Sequence, residues 1–289
     1  MAHTFRNGLL LALLASFMFS LKPIFIKQAY SYGINSDELM ILRMWFALPF
    51  YALMLFLQRK VFMEKRQYIL SVIGLGFLGY FLSSYLDLMA LESISAQAER
   101  IILYAYPTVV IIIKSVYEKR LPSKKMLISL FIVYSGILLL LPGELKIEGA
   151  ATGLMLMVFC AITFALYVIL SKPMIERMGV GVFTSTAMVT SCLFTQINFI
   201  YVEVDSLISY PSEVYILTLA LAFFSTVIPS YAMSAAIAKI GSEKVAIAGT
   251  TGPAFTVVFA IIILGESFSI YHALGLTLVL SGVYLLSNK

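Results

Sequence analysis

Six charged side chains stand inside long apolar stretches: Lys22, Arg43, Asp87, Glu99, Arg100 and Lys114. An ionised group deep in lipid costs several kcal/mol, about 2.5–3.5 on insertion scales, so such residues pair with one another or turn toward a water-filled cavity. Lys22 is followed by Pro23, which removes a backbone donor and loosens the preceding turn. A cation beside a loosened turn is suited to meet a carboxylate ligand; the plainer alternative is a lysine that snorkels or pairs for stability. Glu99 and Arg100 are adjacent. Neighbours on a helix point in different directions, so they are not expected to pair with each other. The expectation is that one faces a cavity while the other reaches Arg43 or Asp87, or that both belong to a structural salt-bridge cluster. A buried Glu99 could also carry a proton. Lys114 lies near a span end and is read as snorkelling.

Pro107 and Pro253 occupy matching places in two related halves of the chain. Each frees a carbonyl one turn earlier, and paired helix breaks at equivalent positions point to a central site, although a fixed packing kink explains each one alone. Gly249, Thr250, Thr251 and Gly252 precede Pro253. Small residues permit close helix approach, and Thr250 can offer a hydroxyl to a ligand.

The elements that must position these residues are apolar spans. Of the 289 residues 61% are hydrophobic and 12% charged, against about 45–50% and about 25% in soluble domains. This composition places the chain in a bilayer. Runs of about 20 apolar residues without strict alternation predict helices rather than strands. The reading is all-α integral membrane, with ten transmembrane helices at 8–29, 38–57, 68–90, 95–116, 125–142, 153–174, 181–202, 213–237, 245–264 and 271–287. Residues 1–146 and 147–289 form two repeats. Ala90-Leu91-Glu92-Ser93-Ile94 matches Ala236-Ile237-Ala238-Lys239-Ile240, Ser135-Gly136 matches Ser281-Gly282, and Gly8 with Lys27 matches Gly153 with Lys172. Five spans per half is an odd number, so the halves must be inverted. Inverted repeats are an architecture of secondary transporters.

With the N-terminus inside, 14 of the 20 Lys and Arg residues fall on the cytoplasmic side and two, Lys27 and Lys146, outside. The positive-inside rule then puts both termini in the cytoplasm. The basic net charge of +5 is therefore a topology signal and not a nucleic-acid signal. Cys160 and Cys192 lie within apolar segments without metal-type spacing and read as small core residues. His3 and His272 sit at or beyond span ends. No cofactor or metal is expected. There is no phosphate-binding loop for ATP, and no nucleophile with a nearby base.

The second half, from Ala236 to Gly241, through Ala246 to Gly249 and Thr250-Thr251-Gly252-Pro253 to Gly265-Glu266, resembles the EamA signature. The first half carries a degenerate copy, with Pro107 in mid-span and Glu118-Lys119-Arg120-Leu121 at its end, where Tyr117 replaces the usual glycine. Arg43 also fits the pattern. The chain resembles a ten-helix member of the drug/metabolite transporter superfamily, built of two EamA units. The resemblance implies export of small metabolites across the bacterial inner membrane. It also implies a cavity lined by the first, third, fourth, sixth, eighth and ninth spans. On those spans Tyr80, Tyr104, Tyr167 and Tyr231 become candidate lining residues, Tyr167 aligning with Lys22 between the repeats. Glu266, the family's terminal glutamate, is read as structural, and Trp45 as an interfacial anchor.

The expected function is a secondary-active or facilitative carrier exporting amino acids or related metabolites by alternating access, with a small-molecule substrate and the lipid bilayer as its partners. Proton coupling, and a monomer or homodimer, stay open. The alternative is an efflux carrier for amphipathic cations. An integral-membrane enzyme on a lipid-linked substrate is disfavoured because no carboxylates or histidines cluster at a membrane face. A passive channel or sensor is the remaining rival.

Overall fold

The computed structural model describes residues 2–103, 105–117, 124–139, 148–249 and 251–287, and every extended element among them is helical. Among the described residues, six helices are long and apolar enough to cross a membrane: Phe5–Tyr30 (α1), Ser36–Leu57 (α2), Arg66–Ser93 (α3), Ala150–Met178 (α7), Val180–Ile200 (α8) and Ser212–Ile240 (α9). Between them come Ala96–Leu103 (α4), Tyr106–Tyr117 (α5) and Lys124–Leu138 (α6). Ser242–Gly249 (α10), Gly252–Leu264 (α11) and Ile270–Ser287 (α12) follow α9. The protein is a multi-pass membrane protein.

The fourth and ninth spans expected from sequence are not continuous helices with a kink. The chain breaks between α4 and α5 and again between α10 and α11. Ala105 closes a tight turn onto the Ile102 carbonyl at 2.9 Å, and Thr251 a looser one onto Ala248 at 3.5 Å. Pro107 and Pro253 are each the second residue of the following half-helix. There the missing N–H is one the helix start would leave unpaired anyway, which is why proline suits a new helix start better than a helix interior.

Two further departures from α geometry sit at matching places. Residues Gly76–Leu82 in α3 and Phe223–Val227 in α9 are π-helical. In the second, the Thr226 hydroxyl donates to the Leu221 carbonyl, five residues back, at 3.0 Å. Single π turns inside α-helices recur at functional sites.

The largest interhelical contacts recur when helix numbers are exchanged by six. Helix α1 packs on α9, and α7 on α3; α1 meets α10 and α11, and α7 meets α4 and α5. Helix α2 pairs with α8, and α6 with α12. The repeat markers lie in these contacts. A Cβ on Gly8 would come within 2.5 Å of Ile240 Cγ2, and one on Gly153 within 2.9 Å of Ile94 Cγ2. Ile94 and Ile240 are themselves matched positions, so each half's opening glycine seats the end of the other half's third span. Gly136 and Gly282 likewise allow α6 and α12 to touch, a Cβ on either meeting a backbone oxygen of the partner at 2.8 or 2.9 Å. In lipid there is little hydrophobic drive between helices, and such close backbone contacts supply the dispersion energy that holds them together.

A candidate carrier cavity at the helix breaks

One cavity lies where these breaks meet. It encloses about 90 Å3, well below the roughly 300–1,000 Å3 usual for open small-molecule sites. All six of the spans named by the resemblance contribute: Ser16 and Lys22 from α1, Tyr80 to Asp87 from α3, Arg100 from α4, Tyr106 from α5, Phe164 from α7, Met233 from α9 and Gly249 from α10. Helix α2 adds Arg43 and Met44, and α8 adds Met188.

The charged residues form one cluster. Lys22 Nζ stands 2.5 Å from Asp87 Oδ2 and 3.3 Å from the Ser84 hydroxyl. Arg100 pairs with its neighbour Glu99, Nε to Oε2 at 3.4 Å, and Nη2 donates to the Phe19 carbonyl at 2.5 Å. The sequence expectation that Glu99 and Arg100 do not pair is therefore corrected. The helix starts only at Ala96, and both side chains are buried, 0% and 3% exposed, close enough to pair. Arg100 lines the cavity, while Glu99 is fully buried beside it. Arg43 is 1% exposed and lines the cavity as well.

The tyrosines divide. Tyr80 lines the cavity, and Tyr167, 1% exposed, stands behind it, donating its hydroxyl to Tyr80 at 2.8 Å. The Tyr167 ring fits only because residue 79 is glycine; a Cβ there would collide with it. Tyr231 does not line the cavity. It packs on Tyr51, ring centres 5.6 Å apart, and its hydroxyl shares a 2.7 Å hydrogen bond with Ser185. Tyr104 and Thr250 lie outside the described residues.

Sequence reasoning missed the serines of α1. Pro253 cannot bond the Gly249 carbonyl, and the Ser16 hydroxyl takes it at 2.9 Å; Ser20 bonds the Gly252 carbonyl at 3.0 Å. Two serines four residues apart on one helix face were the available signal, and they stitch α1 to the α10–α11 break. Pro23 works the same way, since the carbonyl it leaves without an N–H is Phe19, the one Arg100 occupies. Glu266 bonds within its own turn, its N–H donating to the Ala260 carbonyl at 3.1 Å, and also reaches across. Its carboxylate accepts from Ala96 N at 2.8 Å and Gln97 N at 3.3 Å, capping α4 from the opposite half.

A second polar group closes the end of the bundle where α1 turns into α2. Asn35 and Glu38 form a capping box at the start of α2. Asp37 accepts from the Tyr85 hydroxyl at 2.6 Å and from Asn198 at 3.0 Å, and Glu38 accepts from the Tyr210 hydroxyl at 2.6 Å. Partial burial, and then the Glu38 carboxylate, push the Tyr210 hydroxyl well up, so it stays a donor at working pH. These bonds tie α2 and α3 to α8 and the loop before α9.

The comparisons agree with this architecture. The profile of the EamA-like transporter family matches twice, over residues 6–141 and 151–288. An uncharacterized transporter, YcbK, of Bacillus subtilis (strain 168) is 27% identical over 278 residues, covering 93% of this chain and 88% of the relative. A solved crystal structure superposes with a TM-score of 0.68 over 97% of this chain and 96% of its own, at 14% identity, a likeness of fold. With both halves matched end to end, the chain belongs to the EamA-like transporter family.

Proposed function

We propose that this protein is a ten-span carrier that exports amino acids or related small metabolites across the bacterial inner membrane by alternating access. Its two halves, 1–146 and 147–289, are inverted relative to each other and rock around the cavity. The exchange symmetry of the helix contacts supports that reading, and the distribution of Lys and Arg supports cytoplasmic termini. The observation that carries it is the cavity itself. It joins two broken helices and places Lys22, Arg43, Asp87 and Arg100 on one wall among hydroxyls and aromatic rings. Discontinuous helices at matching positions, framing a mostly apolar pocket with a charged cluster in its wall, suit a carrier. The proposed lining is Lys22, Tyr80 and Arg100, with Glu99 and Tyr167 holding them. Tyr104, Thr250 and Tyr231 belong to the path beyond, and Pro107 and Pro253 to the hinges.

Asp87 and Glu99 are both buried at the cavity wall, 1% and 0% exposed. Burial disfavours the ionised form of a carboxyl group, which makes this pair the proposed site of proton coupling. The Asp37–Tyr85–Asn198 and Glu38–Tyr210 bonds are the proposed outer gate in its closed state.

Met44, Met188, Met233 and Phe164 in the lining also favour a second reading, efflux of amphipathic cations. The excess of cations on the cavity wall argues for the first. Counterflow in proteoliposomes tests it. Vesicles loaded with unlabelled amino acid are expected to take up the labelled one transiently above equilibrium. Linear, non-saturable flux without counterflow would turn the assignment toward a passive pore.

A further inference from the structure

The cations of the cavity are not equivalent. Lys22 is held by Asp87 at 2.5 Å, and Arg100 by Glu99 and the Phe19 carbonyl. Arg43 is held differently. Among the described residues its Nη2 hydrogen-bonds to the Met40 sulfur at 2.7 Å, its Nε is buried without a hydrogen-bond partner, and it makes no ion pair within 4 Å, Asp87 being the carboxylate whose charge acts on it from further off. A thioether is a weak acceptor that neutralises no charge. A guanidinium 1% exposed at membrane depth, on a cavity wall, is thus left to something that enters the cavity.

Charge identifies that group. Lys22, Arg43 and Arg100 face Asp87 and Glu99, leaving one positive charge over when both acids are ionised and more when the pair holds a proton. One oxyanion of single charge balances the first case. A phosphomonoester carries about −1.5 to −2 at pH 7 and overshoots it. A carboxylate carries one charge and matches the planar fork of a guanidinium with two parallel hydrogen bonds.

We propose that Arg43 binds the carboxylate of the transported molecule. Lys22, which the sequence singled out for that task, instead neutralises Asp87 and orients it. The proposal rests on the carrier reading above and names the residue that recognises the cargo.

Calorimetry on the full chain in detergent tests it with matched pairs that differ only at the acid: L-alanine and L-alaninamide, L-leucine and L-leucinamide, L-phenylalanine and L-phenylalaninamide. At least one acid is expected to bind tenfold or more tightly than its amide. Arg43→Gln should erase that preference, and Arg43→Lys, which keeps the charge but loses the fork, should weaken acid binding about tenfold. Should Arg43→Gln fail to fold, the wild-type pairs and Arg43→Lys still decide. Equal binding of acid and amide to the wild-type chain, no binding by any acid, an undiminished preference in Arg43→Gln, or displacement of the acid by phosphatidylglycerol would each overturn the assignment. Counterflow with the same acids separates the two readings. Arg43-dependent binding without counterflow removes the carrier and keeps the site; counterflow in Arg43→Gln with the acid preference intact does the reverse.

Discussion

Arg100 donates to the carbonyl of Phe19 at 2.5 Å, the carbonyl that Pro23 leaves without its helical N–H. One guanidinium thereby answers a backbone defect in α1 and a buried carboxylate, Glu99, in α4. The break in α1 and the charge in α4 are two sides of one contact, and they couple the first and fourth spans at the cavity wall.

Arg100→Met should therefore destabilise the protein by about 3–5 kcal/mol, the cost of leaving a buried partner charge unpaired. Adding Glu99→Gln to it should recover a large part of that loss. Denaturant or thermal unfolding in detergent measures both; a double variant no more stable than Arg100→Met would mean the pair does not act as a unit.

Lys22→Met strands Asp87, which is 1% exposed. Transport should fall at least tenfold, and the melting temperature should drop, with Lys22→Met/Asp87→Asn closer to wild type in stability than Lys22→Met alone. Restored stability without restored flux would assign the pair a part in transport besides its structural one.

Gly79→Ala puts a methyl group into the Tyr167 ring. The expected cost is about 1–3 kcal/mol. Because Tyr167 holds the Tyr80 hydroxyl at 2.8 Å, cargo affinity should weaken along with stability. Gly74→Ala on the same helix meets nothing within 4 Å and serves as the control, expected near zero.

If Asp87 and Glu99 share a proton that leaves as cargo enters, cargo should accumulate in whichever vesicle compartment begins acidic. Glu99→Gln should abolish that response and leave counterflow in place. Accumulation by Glu99→Gln equal to wild type under an imposed pH gradient would remove the coupling role.

Tyr210→Phe and Asp37→Asn each remove bonds that tie the two halves at one end. Both should raise labelling of a cysteine introduced at Ser84 by a membrane-impermeant reagent added from outside, several-fold over the same cysteine in the parent. Unchanged labelling would place the gate elsewhere.

Much of the helical layout was legible in the chain. Apolar run length identifies the helices, because lipid offers the backbone no other partner. The internal matches, Gly8 with Gly153 and Ile94 with Ile240, marked the repeat; that each glycine seats the other half's isoleucine emerged only from the folded structure. The same sequence singled out Lys22, Arg100 and Tyr80, which line the cavity, because ionisable and polar groups are rare in apolar spans and therefore stand out.

Which charge meets which partner was decided only by the tertiary structure. A span's sequence tells that Lys22, Arg43 and Arg100 are buried, but pairing depends on distances between helices far apart in the chain: 62 residues from Lys22 to Ser84, 81 from Arg100 to Phe19. The conversion of two kinked spans into four half-helices, the π turns in α3 and α9, and the serines of α1 that take the carbonyls at the α10–α11 break arise from the same source. Local sequence fixes where a backbone is free to depart from the helix. Only the neighbours that arrive on folding determine which freed group is satisfied, as Ser16 does for the Gly249 carbonyl and Arg100 for that of Phe19.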